Sequence, residues 1–380
     1  MPAIAEEKRI WLIDIARFYA IALVFYGHFV ERLMILQNPA GAIQYKFIYS
    51  FHMILFFILG GYISRESDLE FGFGKYLKHR FFSRLLPFLF FTVIFMILPF
   101  IFSGDFGQLQ LPSIRGYIIG TLLTVFGLPV FCIPSWFILM FFTVELVHYG
   151  AFRFLKSSNI KILIAVVVFY VAGYWINLQF DIFNPAKQRM IGWNYLFIHE
   201  AITMYAFYLL GVYLRRRQFL MNKVSLKITI PGAIIAFLIV FFTFNLNNGP
   251  FNFNYFNSVV ILFSSHGSFI WFPITAIVGS LLIFFLAKIT PSQKTIVLIG
   301  QNTLLLMCLN GLFYHYINFR VAKLVLDNLS GSFPTILVIS LLMTVVSLAV
   351  CIPLIYLFNK YVPQLVGKPK TNGPWLKNLI

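Results

Sequence analysis

The sequence predicts an all-α polytopic membrane protein, a bundle of about ten transmembrane helices with a re-entrant or partial helix near residues 116–131. Hydrophobic residues make up 60% of the 380 residues, and charged residues make up only 11%. Apolar runs of roughly 18 to 25 residues recur along the chain, long enough to cross a hydrocarbon core of about 30 Å. This composition excludes a water-soluble globular protein. We therefore expect a multi-pass protein of a cell membrane.

Ten apolar segments are predicted to span the membrane. In chain order they cover residues 10–36, 45–64, 81–102, 134–150, 160–178, 195–214, 228–244, 267–288, 296–318 and 334–358. Residues 104–133 are broken by glycine and proline, and the unbroken pieces are too short for a further span. We therefore expect a re-entrant or partial helix there, which must be buried in protein or line a cavity.

The basic residues predict the topology. With a cytoplasmic N-terminus, 21 Lys and Arg residues fall in cytoplasmic segments and 7 fall outside, although the net charge is +17. This bias predicts that both termini are cytoplasmic. The charges are not gathered in one groove, so membrane lipids and not nucleic acid are the expected partners. The spans form one domain, residues 1–359, and residues 360–380 are expected to be a loosely ordered, basic cytoplasmic tail.

The first span carries four ionisable residues on one face. At 100° per residue, the step from Arg17 to His28 returns to within about 20° of the same direction, and Asp14 and Glu31 lie one turn outside that pair. At a rise of about 1.5 Å per residue, Arg17 and His28 are roughly 16 Å apart along the membrane normal. This separation is about half of the hydrocarbon core.

This polar stripe has two interpretations. A charge at such depth costs at least about 2.5 to 3.5 kcal/mol, so the stripe must face protein or a water-filled cavity. In a structural interpretation, Arg17 and Asp14 pair near a helix end, and His28 is a hydrogen-bonded core histidine. In a functional interpretation, the four residues form a site. Four polar groups on one stripe favour a site.

The second span is expected to descend from a short outer turn around residues 39–41. It places His52 in its outer half, at a depth comparable with that of His28, and His52 is as compatible with a structural role as with a functional one. Gly60 and Gly61 near its inner end allow a neighbouring helix to approach closely.

Basic residues crowd the cytoplasmic end of the third span. Lys78, Arg80 and Arg84 precede or enter the apolar run, and positive-inside anchoring alone explains such a cluster. Arg84, however, lies one turn inside the apolar region. An anionic ligand entering from the cytoplasm would find multi-donor cations suited to phosphate there.

Two later spans also carry polar side chains. The fourth span begins with Trp136 at its outer end and carries Glu145 and His148 one turn apart toward the inside. A structural role and a functional role for this pair are equally compatible with the sequence. The ninth span carries Asn310, and neutral amides in membrane helices often serve only as hydrogen bonds between helices.

The three cysteines indicate neither a disulfide framework nor a metal site. Cys132, Cys308 and Cys351 lie far apart within apolar segments and lack metal-ligand spacing. No metal is expected.

Taken together, these residues resemble the acyltransferase-3 family of integral-membrane O-acyltransferases, through motifs that follow the family's order over most of the bundle. The motifs are Asp14-x-x-Arg17 with His28 after ten further residues, HMILFFILGGY in the second span, RLLP before the third, SWF at the fourth and IGQNTL at the ninth. The chain departs from the family pattern at three places. Gly60 replaces a serine, Arg80 stands one position before the usual arginine, and Asn310 replaces a frequent histidine.

The resemblance implies an O-acyltransferase that moves an acyl group, most often acetyl, from cytoplasmic acyl-coenzyme A to a hydroxyl of a surface or lipid-linked carbohydrate across a bacterial inner membrane. His28, Arg17 and Asp14 are then the catalytic candidates. His28 acts either as general base on the acceptor hydroxyl or as a covalent acyl carrier. The two groups of binding residues are Arg80, Arg84 and Lys78 for the acyl-coenzyme A donor, and His52, Glu31, Trp136 and Asn310 for the carbohydrate.

A transporter or flippase for a lipid-linked saccharide or an organic anion is the alternative. Intramembrane Arg, His and Glu together with a re-entrant segment also suit that class. The sequence shows no two-fold internal repeat of the kind many transporters have, which favours the enzyme.

Overall fold

The protein is described by a computed structural model that covers residues 11–107, 109–179, 195–220, 225–248 and 258–380. Within these residues the chain is helical, apart from turns, connecting segments and one isolated β-bridge. Nine helical segments in them are long and apolar enough to cross a membrane, and a bent helix pair makes up to ten. The all-α polytopic bundle is therefore confirmed.

The α-helices are numbered in chain order. They are α1 (Trp11–Ile35), α2 (Pro39–Tyr49), α3 (His52–Ile63), α4 (Phe73–Arg80), α5 (Leu86–Ile97), α6 (Ile114–Val125), α7 (Trp136–Leu155), α8 (Asn159–Gln179), α9 (Ile198–Arg216), α10 (Leu226–Thr243), α11 (Trp271–Ile289), α12 (Lys294–Gln301), α13 (Thr303–Leu312), α14 (Asn318–Asn328) and α15 (Phe333–Tyr361).

Helix α1 lies at the centre of the bundle and packs against α2, α3, α11, α12, α14 and α15. Asp14 and His28 are 4% and 7% exposed, so the polar stripe faces protein, as the sequence predicted. By contrast, α8 and α10 expose many of their large apolar side chains at the perimeter of the bundle. Because such faces suit lipid, the perimeter has the composition expected of a membrane protein.

The second span differs from the prediction at its beginning. Residues 39–41, expected to form a turn, are the first turn of α2. Asn38 caps this turn, since its side-chain oxygen accepts a hydrogen bond from the Gly41 amide at 2.8 Å, and Pro39 occupies the first helical position. The span then breaks at Ser50 and Phe51 before α3 continues it.

The third span is longer than predicted because α4 leads into it. A π-helical turn, Phe81–Leu85, joins α4 to α5 and carries Arg84. A second π-helical turn, Phe313–Ile317, interrupts the last span before α15. Such turns are rare in helices and are frequent at functional sites.

The predicted partial helix near 116–131 is confirmed as α6. It has 12 residues and so rises only about 18 Å, too little to cross a membrane. A 3₁₀ turn, Val130–Ser135, then leads into α7.

The ninth span is bent. Helix α12 meets the following helical segment, Thr303–Asn328, at 81°, with Asn302 at the break. The Oδ1 atom of Asn302 accepts hydrogen bonds from Asn359 Nδ2 at 2.8 Å and from Lys368 Nζ at 3.0 Å, and Lys368 also donates to Asn359 Oδ1 at 2.6 Å. The expectation of a loosely ordered tail is therefore wrong. Gln364 in the tail is fully buried and donates to the carbonyls of Thr371 and Leu376.

Two glycines let α3 and α9 pack backbone to backbone. A Cβ at Gly61 would lie 1.8 Å from the Tyr208 carbonyl oxygen, and a Cβ at Gly211 would lie 2.0 Å from the Ile58 carbonyl oxygen. The predicted close helix approach is therefore confirmed at Gly61. At Gly60 a Cβ would instead meet the Phe141 ring at 2.5 Å.

We expect Gly61→Ala to destabilise the folded protein by about 1–3 kcal/mol, because the added methyl forces α3 and α9 apart. Thermal unfolding of the purified protein in detergent measures this change. The matched control is Gly150→Ala in α7, where a Cβ meets nothing within 4 Å and alanine favours the helix. Equal melting temperatures for the two variants would contradict the close contact.

Candidate active site

Helix α1 contributes side chains to two separate cavities. The Arg17 cavity, about 110 Å³, is lined by Arg17 and by parts of α3, α7 and α13 together with Arg84. The His28 cavity, about 130 Å³, is lined by His28 and Glu31, which lie three turns farther along α1. The two cavities have no lining residue in common.

Arg17 and Arg84 are the cationic groups of the Arg17 cavity, and the rest of its wall is mostly apolar. Arg17 Nη1 lies 3.8 Å from Asp14 Oδ1, and Gln301 Nε2 donates to Asp14 Oδ2 at 3.2 Å. Gly300 permits this contact between α1 and α12, since a Cβ there would lie 1.8 Å from the Asp14 carbonyl oxygen. The predicted pairing of Asp14 with Arg17 is therefore present.

Arg84 and Arg80 share one carboxylate. Arg84 binds Glu145 in a bidentate manner, with Nε–Oε2 and Nη2–Oε1 distances of 3.0 and 3.1 Å, and Arg80 Nη1 lies 3.2 Å from Oε1. Glu145 is 2% exposed. Arg80 also pairs with Asp68 at 3.1 Å. A buried triad of this kind fixes both guanidinium groups in place.

The predicted donor-binding residues therefore divide into three positions. Arg84 lines the Arg17 cavity and lies 5.3 Å above the Phe141 ring, on a wall of that cavity. Arg80 is held beside the cavity by Glu145, Asp68 and the Tyr76 ring. Lys78 is exposed at the same end of the bundle.

His28 in the second cavity is oriented by Asn310 on α13. The imidazole Nδ1 and the amide Oδ1 of Asn310 are hydrogen-bonded, and Asn310 is fully buried. Because an amide oxygen only accepts, Nδ1 carries the proton in this arrangement and Nε2 keeps its lone pair. The imidazole can therefore act as a base or as a nucleophile.

Glu31 lies beside His28 and is held by two phenols. Tyr314 Oη donates to one carboxylate oxygen at 2.9 Å, and Tyr49 Oη donates to the other at 3.2 Å. Tyr314 is held in turn by Arg32, whose guanidinium lies 4.0 Å above the ring and donates to the Tyr314 carbonyl at 3.0 Å. The His28 and Tyr314 rings also meet edge to face at 5.1 Å.

Arg32, one of the seven basic residues expected outside the membrane, is instead buried in the structure. It is 6% exposed and pairs with Asp105 Oδ2 at 3.0 Å. Its position next to Glu31 at the end of an apolar helix was the available signal, since a basic residue there has to find a carboxylate or leave the membrane.

A largely buried loop that contains a short 3₁₀ turn, Ile261–Phe263, lines one side of the His28 cavity. Residues 259–263 line it, and their neighbours Ser264, Ser265 and His266 are also buried. The Val260–Ser265 bridge closes this segment into a tight loop. The sequence does not predict this loop, because five apolar residues are too few to indicate a span.

Of the two predicted carbohydrate-binding residues Trp136 and His52, Trp136 lines the His28 cavity and His52 does not. His52 is 1% exposed, its Nδ1 is hydrogen-bonded to the Ile48 carbonyl at 3.0 Å, and its ring packs on Tyr49 at 4.6 Å. His52 therefore supports Tyr49, which holds Glu31.

A layer of aromatic side chains lies where the two cavities approach each other. Trp136 lines the His28 cavity and the next residue, Phe137, lines the Arg17 cavity. On α3, Met53 lines the His28 cavity, and Phe56, one turn away, lines the Arg17 cavity. The Phe56 and Phe137 rings pack at 5.2 Å. Both rings line the Arg17 cavity, and each lies within a helical turn of a residue that lines the His28 cavity.

Glu200 and His148 are buried ionisable residues that line neither cavity. Glu200 and His266 form a fully buried pair at 2.5 Å, and His148 contacts Tyr205 Oη at 3.2 Å instead of Glu145. In the described part of the chain, no three His, Cys, Asp or Glu side chains come together in a way that could hold a metal ion.

Comparison with known proteins identifies the family of the chain. A family model described as an acyltransferase domain matches residues 10–356, nearly the whole chain. Searches of curated proteins and of solved structures gave no match. The matched region includes both cavities and every residue that lines them. The chain therefore belongs to the acyltransferase-3 family and is a membrane acyltransferase.

Proposed function

We propose that the protein transfers an acyl group, most often acetyl, from cytoplasmic acyl-coenzyme A to a hydroxyl of a carbohydrate on the opposite side of the membrane. The observation that carries this proposal is that α1 places Arg17 in one cavity and His28 in another, toward opposite ends of the same helix. A donor that binds beside Arg17 and an acceptor that binds beside His28 would therefore approach the same helix, α1, from the two sides of the bundle.

The Arg17 cavity suits the acyl end of the donor. Its volume of about 110 Å³ is well below the roughly 300–1,000 Å³ of sites that enclose drug-sized ligands, so only the thioester end would enter. The apolar wall suits an acyl chain and the pantetheine arm. Arg17 and Arg84 supply cations near the entrance, and exposed Lys78 is available for the phosphates outside.

The His28 cavity suits a sugar. Trp136, Tyr45 and Tyr314 provide aromatic surfaces on which a sugar face can stack, and the Glu31 carboxylate can accept hydrogen bonds from hydroxyl groups. No cation lines this cavity among the described residues, since the Arg32 guanidinium binds Asp105 and the Tyr314 ring instead. The residues that line the His28 cavity therefore favour an uncharged sugar, with one of its hydroxyl groups beside His28.

The chemistry follows one of two routes. If His28 is a general base, Nε2 takes the hydroxyl proton while the sugar oxygen attacks the thioester carbonyl, the C–S bond breaks, and the thiolate leaves and takes up a proton. If His28 is a nucleophile, Nε2 attacks the carbonyl, the C–S bond breaks and the coenzyme A thiolate leaves. The sugar oxygen then attacks the acyl-imidazole, the C–N bond breaks, and the hydroxyl proton passes to the thiolate or to water while Nε2 regains its lone pair.

Transfer is tested with purified protein, acetyl-coenzyme A labelled in the acetyl group, and the glycan isolated from a deletion strain. We expect free coenzyme A and labelled glycan in equal amounts. Movement of a lipid-linked saccharide across vesicles without either product would support the flippase alternative.

We expect Arg84→Ala to weaken acyl-coenzyme A binding roughly tenfold or more, because hydrogen bonds to charged groups contribute about 1.5–3 kcal/mol each. Arg80 keeps its ion pair with Glu145 in this variant, so the fold should persist. Calorimetric titration with acetyl-coenzyme A measures the change. The control is Arg153→Ala, which removes an exposed arginine from the end of α7. An unchanged dissociation constant for Arg84→Ala would remove Arg84 from the donor site.

A further inference from the structure

A third cavity lies next to the His28 cavity and is used by no step of the proposed transfer. The Arg320 cavity has a volume of about 150 Å³. Its lining side chains are polar, charged or aromatic, and they are Ser103, Asp105, His315, Tyr316, Phe319 and Arg320. This composition differs from the largely aliphatic and aromatic wall of the His28 cavity.

The Arg320 cavity and the His28 cavity lie against two sides of one helical turn. Tyr314 and His315 are consecutive residues of the second π-helical turn, and Tyr314 lines the His28 cavity whereas His315 lines the Arg320 cavity. The Ile133 amide donates to His315 Nε2 at 3.4 Å, and Ile133 itself lines the His28 cavity. Arg32 joins the two sides, since it lies on the Tyr314 ring and pairs with Asp105.

The groups in the Arg320 cavity are held in place and are still able to bind. Asp105 accepts from Arg32 at 3.0 Å and from the Gly107 amide at 3.0 Å, and its side chain is 32% exposed. A carboxylate has about four acceptor positions, so two remain. Arg320 uses one terminal nitrogen for both bonds to Ser103, each 2.7 Å, although a guanidinium carries five N–H groups.

This combination fits a sugar ring. Planar carboxylate and guanidinium groups form paired hydrogen bonds with neighbouring hydroxyls, and the Tyr316 and Phe319 rings offer surfaces for its apolar face. We propose that the Arg320 cavity is a second sugar subsite, which binds a residue of the acceptor other than the one acylated at His28, so that the acceptor is an oligosaccharide or polysaccharide. This inference rests on the proposed function.

The test uses the glycan from the deletion strain, partially hydrolysed and separated into monosaccharide and oligosaccharide fractions. With labelled acetyl-coenzyme A, we expect the wild-type protein to acylate the oligosaccharides with a kcat/KM at least tenfold above that of the monosaccharides. Arg320→Ala should raise KM for oligosaccharides roughly tenfold and leave the KM for monosaccharides unchanged. Phe319→Ala should raise the same KM severalfold.

Lys323→Ala is the matched control, because Lys323 is exposed on the same helix and does not line the cavity. A lower kcat/KM for the monosaccharide fraction would show that loss of the Arg320–Ser103 contact disturbs the fold or the catalytic residues in general. Equal use of both fractions by the wild-type protein, or an unchanged oligosaccharide KM in both cavity variants, overturns the second subsite while leaving acyl transfer intact. Absence of transfer to every fraction overturns the proposed function itself.

Discussion

Replacing His28 with alanine is expected to lower the rate of acyl transfer by about 10²- to 10⁴-fold, because the proton acceptor or nucleophile of the reaction is lost. His28→Gln should lose as much activity, although glutamine offers an amide for a hydrogen bond to Asn310. Asn310→Ala should cost less, roughly up to tenfold, since it removes one hydrogen bond that orients the ring. Labelled acetyl transfer per mole of purified protein measures all three.

The matched control for these variants is His148→Gln, because His148 is also a buried histidine but contacts Tyr205 and lines neither cavity. His148→Gln should retain transfer activity. Free imidazole in the assay should partly restore activity to His28→Ala and should not change the control. Full activity in His28→Ala at normal protein yield would exclude His28 from the chemistry.

Glu145→Ala should destabilise the bundle by about 1–3 kcal/mol, because it leaves two partly buried guanidinium groups without their shared, buried carboxylate. Glu145→Gln keeps one acceptor oxygen and should be less damaging. Thermal unfolding in detergent, followed by helical circular dichroism, measures the difference.

Asp68→Asn is the control for this prediction. It removes the other carboxylate of Arg80, but its side chain is 32% exposed, and partly exposed pairs contribute about 0–1 kcal/mol. Similar melting temperatures for Glu145→Ala and Asp68→Asn would mean that the buried triad does not hold the donor end of the bundle together.

The sequence was sufficient for the features that depend on the periodicity of one helix. The rise and rotation of an α-helix predicted that Asp14, Arg17, His28 and Glu31 share one face that points toward protein or a cavity. In the structure Asp14 and His28 are buried, and Arg17, His28 and Glu31 line the two cavities. The number of spans and the partial helix followed from the lengths of apolar runs and from the glycine and proline breaks. These signals are local, so they do not depend on which helices become neighbours.

The partners of those residues could not be predicted, because each comes from a distant part of the chain. Asn310 and Glu145 were both noted in the sequence, but their pairing with His28 and Arg84 depends on helix packing. The buried loop that lines the His28 cavity could not be predicted, because its five apolar residues are too few to show a helical periodicity. The role of each site residue remains a prediction that the experiments above test.

The contact between Lys368 and the break at Asn302 affects how topology experiments on this protein should be designed. Reporter fusions are often made by truncating a chain after its last span, here near residue 360. Such a truncation would remove the ammonium group that bonds Asn302 and Asn359, next to the Gln301 that holds Asp14. A reporter attached after Ile380 keeps these bonds, so it can report orientation and enzymatic activity in the same cells.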